Sequence, residues 1–316
     1  NIVAIDEEKC INCGQCVINC PFGAITDKSF MVDVIKLINS GAKVYAMVAP
    51  AISGQFGVNV TNGMIREAVK ALGFTDMYEV SLGADFVSKN EALELEEHVK
   101  EGKKMTTSCC PAFVNMIKKH FPQVLDAMST TVSPMTATGR LIKAMDPEAV
   151  CVFIGPCIAK KGEVIDSITY GGADYAMTYE ELASMFEAKN IDPADFEGEM
   201  QQGSVFGMEF SVSGGVTNAV LSTFKERNEE IDVKVCRANG ALECKKALMM
   251  LKAGKLPEDF IEGMACVGGC VNGPAMINKS RTYMKDRNTQ IKQADSRGVL
   301  ENCAKYDDLE FSMVRK

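Results

Sequence analysis

From about residue 30 onwards, apolar residues recur in two alternating rhythms. Continuous apolar runs at 44–48 and 150–154 have the character of strands buried on both faces. Spacings of three and four predict amphipathic helices at 31–40, 64–72, 91–100, 112–119, 179–188, 217–227 and 243–253. Stretches 205–212 and 233–236 read as further strands. Strands alternating with helices predict an α/β protein with mainly parallel sheets flanked by helices. Both clear strands run into a proline, as Ala49-Pro50-Ala51 and Gly155-Pro156-Cys157. A proline at a strand exit removes no needed donor and stiffens the chain where it leaves the sheet. In such sheets, ligands collect beyond the carboxyl ends of the strands. A change of pattern near residue 30 divides the chain into a small segment, 1–30, and one interleaved, two-lobed unit, 31–316.

Cysteine content adds chemistry to this frame. Thirteen cysteines stand against two histidines, many in short-spaced groups, which favours thiolate-bound metal over a secreted disulfide framework. Cys10, Cys13, Cys16 and Cys20, followed by Pro21, spell CxxCxxCxxxCP. That spacing wraps thiolates round a cubane iron–sulfur cluster. Either Cys20 closes this cluster, or it serves a partner cluster whose motif lies upstream. Formal charge is −8 and pI about 5.1, which weighs against nucleic acid and anionic membrane as partners. The longest apolar runs are too short to span a bilayer, and no charged-then-apolar leader opens the sequence, so a cytoplasmic location is expected.

Three further cysteine loops lie far apart: Thr107-Ser108-Cys109-Cys110-Pro111, then Pro156-Cys157 with Lys160 and Glu163, then Met264-Ala265-Cys266-Val267-Gly268-Gly269-Cys270. Paired glycines between two thiols allow a tight turn with amides directed inward, which favours a sulfur cluster over a disulfide. The loops offer five thiols where a cubane needs four. Adjacent Cys109 and Cys110 point in different directions, so one of them is a ligand candidate and the other a free thiol. Cys151, Cys236, Cys244 and Cys303 lack partner spacing and read as small core hydrophobes.

TSCCP, PCxxKxxE and MACxGGCxxG, in this order, resemble the three signature loops of the iron–iron hydrogenases, and the resemblance covers nearly the whole chain. It implies a catalytic domain with an H-cluster in the cleft between two lobes, preceded by a ferredoxin-like 4Fe-4S segment. In the H-cluster a cubane is bridged through a cysteine sulfur to a di-iron unit bearing carbonyl, cyanide and azadithiolate. Cys110, Cys157, Cys266 and Cys270 match the cubane ligands, with Cys270 the bridging one. Cys109 matches the thiol that passes protons to the azadithiolate, and Lys160 the lysine that bonds a cyanide. Ala49, Pro50, Phe210 and Met264 match pocket-lining positions. Glu91, Ser129 and Glu94 match a proton relay, with His98 where arginine is frequent. On helix geometry alone, Glu91, Glu94 and His98 equally suit a solvated acidic face.

The resemblance implies reversible oxidation of dihydrogen, with ferredoxin or a similar redox carrier and cluster maturation proteins as partners. Phe113 where tryptophan is common and Val267 between the cysteines look like a less studied branch; further departures from the pattern are Gly155 for methionine, Ala51 for serine, Gly273-Pro274-Ala275 in the usual glycine run and an apolar Met135. Two alternatives share the motifs, a hydrogen-sensing protein and a non-enzymatic iron–sulfur assembly factor. Cys109, Lys160 and the Glu91–Glu94 pair weigh against the second, because a scaffold needs none of them.

Overall fold

The computed structural model describes residues 4–166, 169 and 171–315. Seven strands among them form two sheets, each parallel throughout. β1 (Val44–Val48), β2 (Asp76–Glu79), β4 (Val150–Gly155) and β5 (Tyr175–Thr178) lie in the order β2-β1-β4-β5. β3 (Met105–Thr106), β6 (Val235–Asn239) and β7 (Phe260–Met264) lie in the order β3-β7-β6. Helices flank both sheets. In the larger sheet, Val44, Ala46, Val48, Val152 and Ile154 bury into one apolar cluster, while Met47, Cys151 and Phe153 bury into another. Both faces are therefore covered, which is why these strands read as unbroken apolar runs.

Register decides where the site falls. Val48 sits opposite Ile154, so Ala49-Pro50 and Pro156-Cys157 leave the larger sheet side by side. In the smaller sheet Thr106 pairs with Ile261 and Asn239 with Met264, so the Cys109 and Cys266 loops also leave from carboxyl ends. Both sheets thus aim their outgoing loops at one region, as a parallel topology allows.

Three expected elements differ. Stretch 205–212 is not a strand: it begins with the short helix Val205–Glu209, whose first turn is capped by the Ser204 hydroxyl accepting the Gly207 N–H. The buried Asp85 carboxylate receives both the Ser204 amide (2.8 Å) and its hydroxyl (2.6 Å), and this long-range support overrides the apolar alternation. The strand expected at 233–236 occupies Val235–Asn239. The helix expected from residue 91 begins eleven residues earlier, as Val80–Lys100. Its residues 80–88 are buried all round, and Gly83 presses its backbone against Pro134 and Thr138 of helix Pro134–Met145. A helix buried on every side shows no amphipathic stripe.

Residues of the amino-terminal segment rest on two helices, Pro111–His120 and Ala159–Glu163, each of which follows a cysteine loop. Lys119 donates to the carbonyls of Glu7 (2.7 Å) and Cys10 (2.8 Å), and a His120 ring nitrogen lies 2.9 Å from that of Lys9. Buried Lys161 pairs with Asp27 and Glu181 and donates to the Lys28 carbonyl. Cys151, Cys244 and Cys303 are fully buried in apolar clusters, and Cys236 is half-buried.

Close packing on a glycine gives a stability prediction. A Cβ added at Gly263 of β7 would meet the Phe113 ring at 2.3 Å. Phe113 is fully buried. Gly263→Ala is therefore expected to cost about 1–3 kcal/mol, as overpacking does. A melting temperature equal to that of the wild type would show that the ring can move aside.

Candidate metal centre

Cys109, Cys110, Cys157, Cys266 and Cys270 all line one cavity, together with Ala49, Pro50, Met135, Lys160, Phe210 and Met264. The cavity leaves about 880 Å³ of atom-free space, part of it open to solvent. Loops from both sheets build it, so residues more than two hundred positions apart face one another. Cys13 of the amino-terminal motif lines the same cavity. Gly14 packs beside it, where a Cβ would meet Ile158 and Pro274 at 2.8 Å.

The donor set fits a sulfur cluster. Cys110, Cys157, Cys266 and Cys270 sit in a mostly apolar cavity, and burial pushes Cys157 up to about 11 and Cys270 up to about 12, with neighbouring thiols adding to it. Cys266 is raised further by the same causes. Thiolates there would be stable only against cationic metal. Gly268 and Gly269 hold positive φ of 82° and 96°, and a Cβ at Gly269 would meet the Ser211 carbonyl at 2.5 Å. The turn thus needs glycine on both conformational and steric grounds. Among the described residues no three ligating side chains gather tightly enough for a single ion. A cubane does not need such a cage, since each thiolate binds a different iron.

In the amino-terminal motif, Cys10, Cys13 and Cys20 are half-buried and Cys16 is exposed. Asn12 N–H donates to the Cys10 sulfur (3.4 Å) and Ala24 N–H to that of Cys20 (3.3 Å). Backbone donors from Phe22 and Ala24 pull the Cys20 thiol below its ordinary range. All four sulfurs belong to one short loop and helix turn, which suits a cluster held at the surface.

Lys160 is buried at 8 % exposure, and its ammonium lies 2.6 Å from Glu163. Burial by itself would raise Glu163, but Lys160 and then Arg315 hold its carboxyl below the usual range. Ser133 (2.6 Å) and Thr136 (3.3 Å) donate to the other carboxylate oxygen. Removing the lysine strands that charge. Lys160→Met is expected to lower unfolding free energy by about 3 kcal/mol, the lower end for breaking a buried pair, because two hydroxyls remain. Denaturant titration checks this, and an unchanged midpoint would mean the pair is already solvated.

A file of polar groups leads away from Cys109. The thiol is buried, and burial followed by the nearby Glu91 carboxylate raises it well above its ordinary value. Glu91 is fully buried on helix Val80–Lys100 and accepts the Ser108 amide (3.2 Å) on one oxygen. Among the described residues no side chain or amide makes a hydrogen bond of ordinary geometry to its other oxygen. Burial first, then Glu94, pushes its carboxyl up to about 8. Ser129 donates to Glu94 (2.7 Å), which is half-buried and also accepts the Thr130 amide (2.7 Å) and the Thr131 hydroxyl (3.3 Å). His98 is not part of this file, since its ring nitrogen lies 2.9 Å from the Glu94 main-chain carbonyl.

Further residues hold these loops in place. Ser108 links Glu91 to the Thr131 carbonyl (2.5 Å), and Tyr179 and Tyr283 hydroxyls hold the carbonyls of Ala49 (3.3 Å) and Ala51 (3.1 Å). Phe153 fills the space a side chain at Gly155 would take, its ring 2.5 Å from that Cβ position. Ser108 and Glu163 lie inside the TSCCP and PCxxKxxE loops, and Glu163 also makes an i, i+3 charge pair with Lys160, whereas Tyr179, Tyr283 and Phe153 carry no such signal.

Residues 42–274 match the family described as iron only hydrogenase large subunit, C-terminal domain, and residues 3–26 match the 4Fe-4S binding domain. The chain belongs to the iron-only hydrogenase family. It is 33% identical to the periplasmic [Fe] hydrogenase large subunit of Nitratidesulfovibrio vulgaris, over 86% of this chain and 86% of that protein. Identity to iron hydrogenase 1 of Clostridium pasteurianum is 31%, over 86% of this chain but 58% of that protein. A relative named as a probable cytosolic Fe-S cluster assembly factor in Caenorhabditis elegans is 22% identical over 98% of this chain and 78% of its own. The fold matches a solved [FeFe]-hydrogenase of Chlamydomonas reinhardtii with TM-score 0.70 at 20% identity, covering 87% of this chain and 92% of that one. The family carries iron–sulfur chemistry, and no helix among the described residues is long and apolar enough to cross a membrane.

Proposed function

We propose that this protein is an iron–iron hydrogenase that interconverts dihydrogen with protons and electrons at an H-cluster. The observation that carries the reading is that Cys109, Lys160 and the four thiols of Cys110, Cys157, Cys266 and Cys270 share one apolar cavity from which the Glu91–Ser129–Glu94 file departs. When bound, the H-cluster supplies the metal at which dihydrogen is cleaved or formed. The four thiols would hold its cubane, and Lys160, positioned by Glu163, would offer a positive charge to an anionic cyanide ligand of the group. Ala49, Pro50, Phe210 and Met264 keep bulk water out. Cys109 holds a proton at its sulfur, because burial disfavours the thiolate. Glu91, near pKa 8, takes and returns that proton close to neutral pH, and Ser129 and Glu94 carry it outward.

Cys10, Cys13, Cys16 and Cys20 would hold an accessory 4Fe-4S cluster, with segment 1–30 serving as the electron port to residues 31–316. Cys13 on the wall of the main cavity supports this order. The external partner would be ferredoxin or a similar carrier, with maturation proteins supplying the di-iron unit. Thirteen thiols suit the reducing cytoplasm, where we place the protein.

A second reading, an iron–sulfur assembly factor, draws on the relative that spans nearly the full chain. Against it stands the buried Cys109–Glu91 neighbourhood, which costs stability and serves no scaffold. Exchange of deuterium gas with water protons separates the readings, using anaerobic protein loaded with both subclusters. Rapid exchange supports the hydrogenase. Its absence with all irons bound overturns it in favour of a scaffold or a sensor.

A further inference from the structure

The last described residues run back over the site. Val314 pairs antiparallel with Thr131, the Val132 amide donates to the Met313 carbonyl (2.8 Å), and the Arg315 amide to that of Thr130 (2.8 Å). Arg140, from helix Pro134–Met145, donates to the carbonyls of Ser312 (2.7 Å) and Val314 (3.0 Å), which pins the strap from the other side. Phe311 stacks edge-on against Phe86 with ring centroids 5.1 Å apart. The strap is therefore anchored at both edges and along its apolar face.

This places the half-buried Arg315 side chain at the junction of two loops. One nitrogen donates to the Thr131 carbonyl (3.1 Å) and another to the Ser108 carbonyl (2.5 Å). Ser108 precedes Cys109 and gives its amide to Glu91, while Thr131 belongs to the loop whose Ser129 and Thr130 bond Glu94. Both ends of the polar file are thus tied through one guanidinium. A planar fork with fixed donors suits such a two-carbonyl clamp, and a flexible ammonium does not.

We propose that Arg315 is a positioning residue of the proton file: by clamping the Ser108 and Thr131 carbonyls it fixes the Cys109 loop against the Ser129–Thr131 loop, and it supplies the positive charge facing Glu91. The groups facing that carboxyl are Glu94 on its own helix, Cys109 and the Ser108 amide from one loop, Ser129 from the other, and Arg315 from the strap. Of these, Arg315 alone is cationic. It opposes burial and Glu94, both of which favour the protonated acid. Without it, Glu91 would hold its proton to higher pH and release it less readily.

The role of the file rests on the hydrogenase reading, but the electrostatic clamp does not, so the test avoids turnover. The infrared carbonyl stretch of protonated Glu91 is followed against pH in full-length protein loaded with its cubanes alone, with Glu91→Gln identifying the band. Arg315→Gln is expected to move the band's midpoint to higher pH, and Arg315→Lys, which keeps the charge, to bring it back towards the wild-type position. An unmoved midpoint in a folded Arg315→Gln protein overturns the proposal. If that variant does not fold, Arg315→Lys decides alone: a wild-type midpoint with a broadened band supports charge with a loosened clamp, and a wild-type band in every respect overturns the clamp. In protein carrying both subclusters, the pH profile of deuterium exchange should shift to higher pH in Arg315→Gln. A fall in amplitude with an unshifted profile would reduce Arg315 to a structural strap.

Discussion

Cys109→Ala should suppress deuterium–proton exchange by about 10²–10⁴-fold, the range removed with a positioned proton carrier, while leaving the cubane assembled. The thiol is the cavity-lining group adjacent to the buried carboxyl of Glu91, and burial together with that carboxyl keeps it protonated. Two neighbours of the thiol are engaged elsewhere: Ser108 turns its hydroxyl to the Thr131 carbonyl, and the Lys160 ammonium pairs with Glu163. Alanine removes the carrier without opening much space, so the four remaining thiols keep their frame. Electron paramagnetic resonance of the reduced cubane checks assembly and gas exchange checks turnover. An intact cubane with wild-type exchange would show that protons reach the cavity by another way.

Glu91→Gln should produce the second large effect, and in two independent observables. Exchange should fall by about 10²-fold or more, because an amide cannot take up and return a proton at this point in the file. Stability should change in the opposite sense at high pH. Glu91 is raised from an ordinary 4.5 in the unfolded chain to about 8 in the folded protein. The folded state therefore holds that proton more tightly. The contribution is complete below pH 4.5 and is lost as pH rises to about 8, because a charge must then form in the interior. Over that window the wild type should lose on the order of a few kcal/mol that the glutamine variant keeps. Asp85, raised to about 7 by burial, contributes the same decline to both proteins, so the difference isolates Glu91. Melting temperatures at pH 5 and pH 9 suffice. Equal declines in the two proteins would mean that Glu91 is solvated.

These two variants also separate the file from the cluster. Cys109 and Glu91 occupy different elements, a loop after β3 and helix Val80–Lys100, joined by the Ser108 amide. A loss of iron in either variant would place these residues in the cluster's support, and full iron with lost exchange would place them in proton transfer.

Much of the chemistry was legible in the amino-acid order because cluster ligands are local motifs. Cysteine spacing in CxxCxxCxxxCP and the paired glycines before Cys270 are set by backbone geometry within a few residues, so they are written into short stretches. The strands Val44–Val48 and Val150–Gly155 were legible for a related reason: with both faces covered, every position is apolar. Where burial was complete around a helix, the same logic hid it. Residues 80–88 contribute Gly83 to a close helix contact and Asp85 to a buried capping bond, and such positions follow the partner surface, not a 3.6-residue period.

By itself the sequence determined which sulfurs, which lysine and which carboxylates this protein owns, and that its strands would be parallel and covered. Tertiary structure alone decided that loops from two separate sheets meet in one cavity, that Glu91 is fully buried while Glu94 reaches towards solvent, and that Arg315 closes the junction between them. The physical reason is range. Ligand spacing and strand pattern obey rules a few residues long, whereas proton affinity depends on desolvation and on charges brought together from distant parts of the chain.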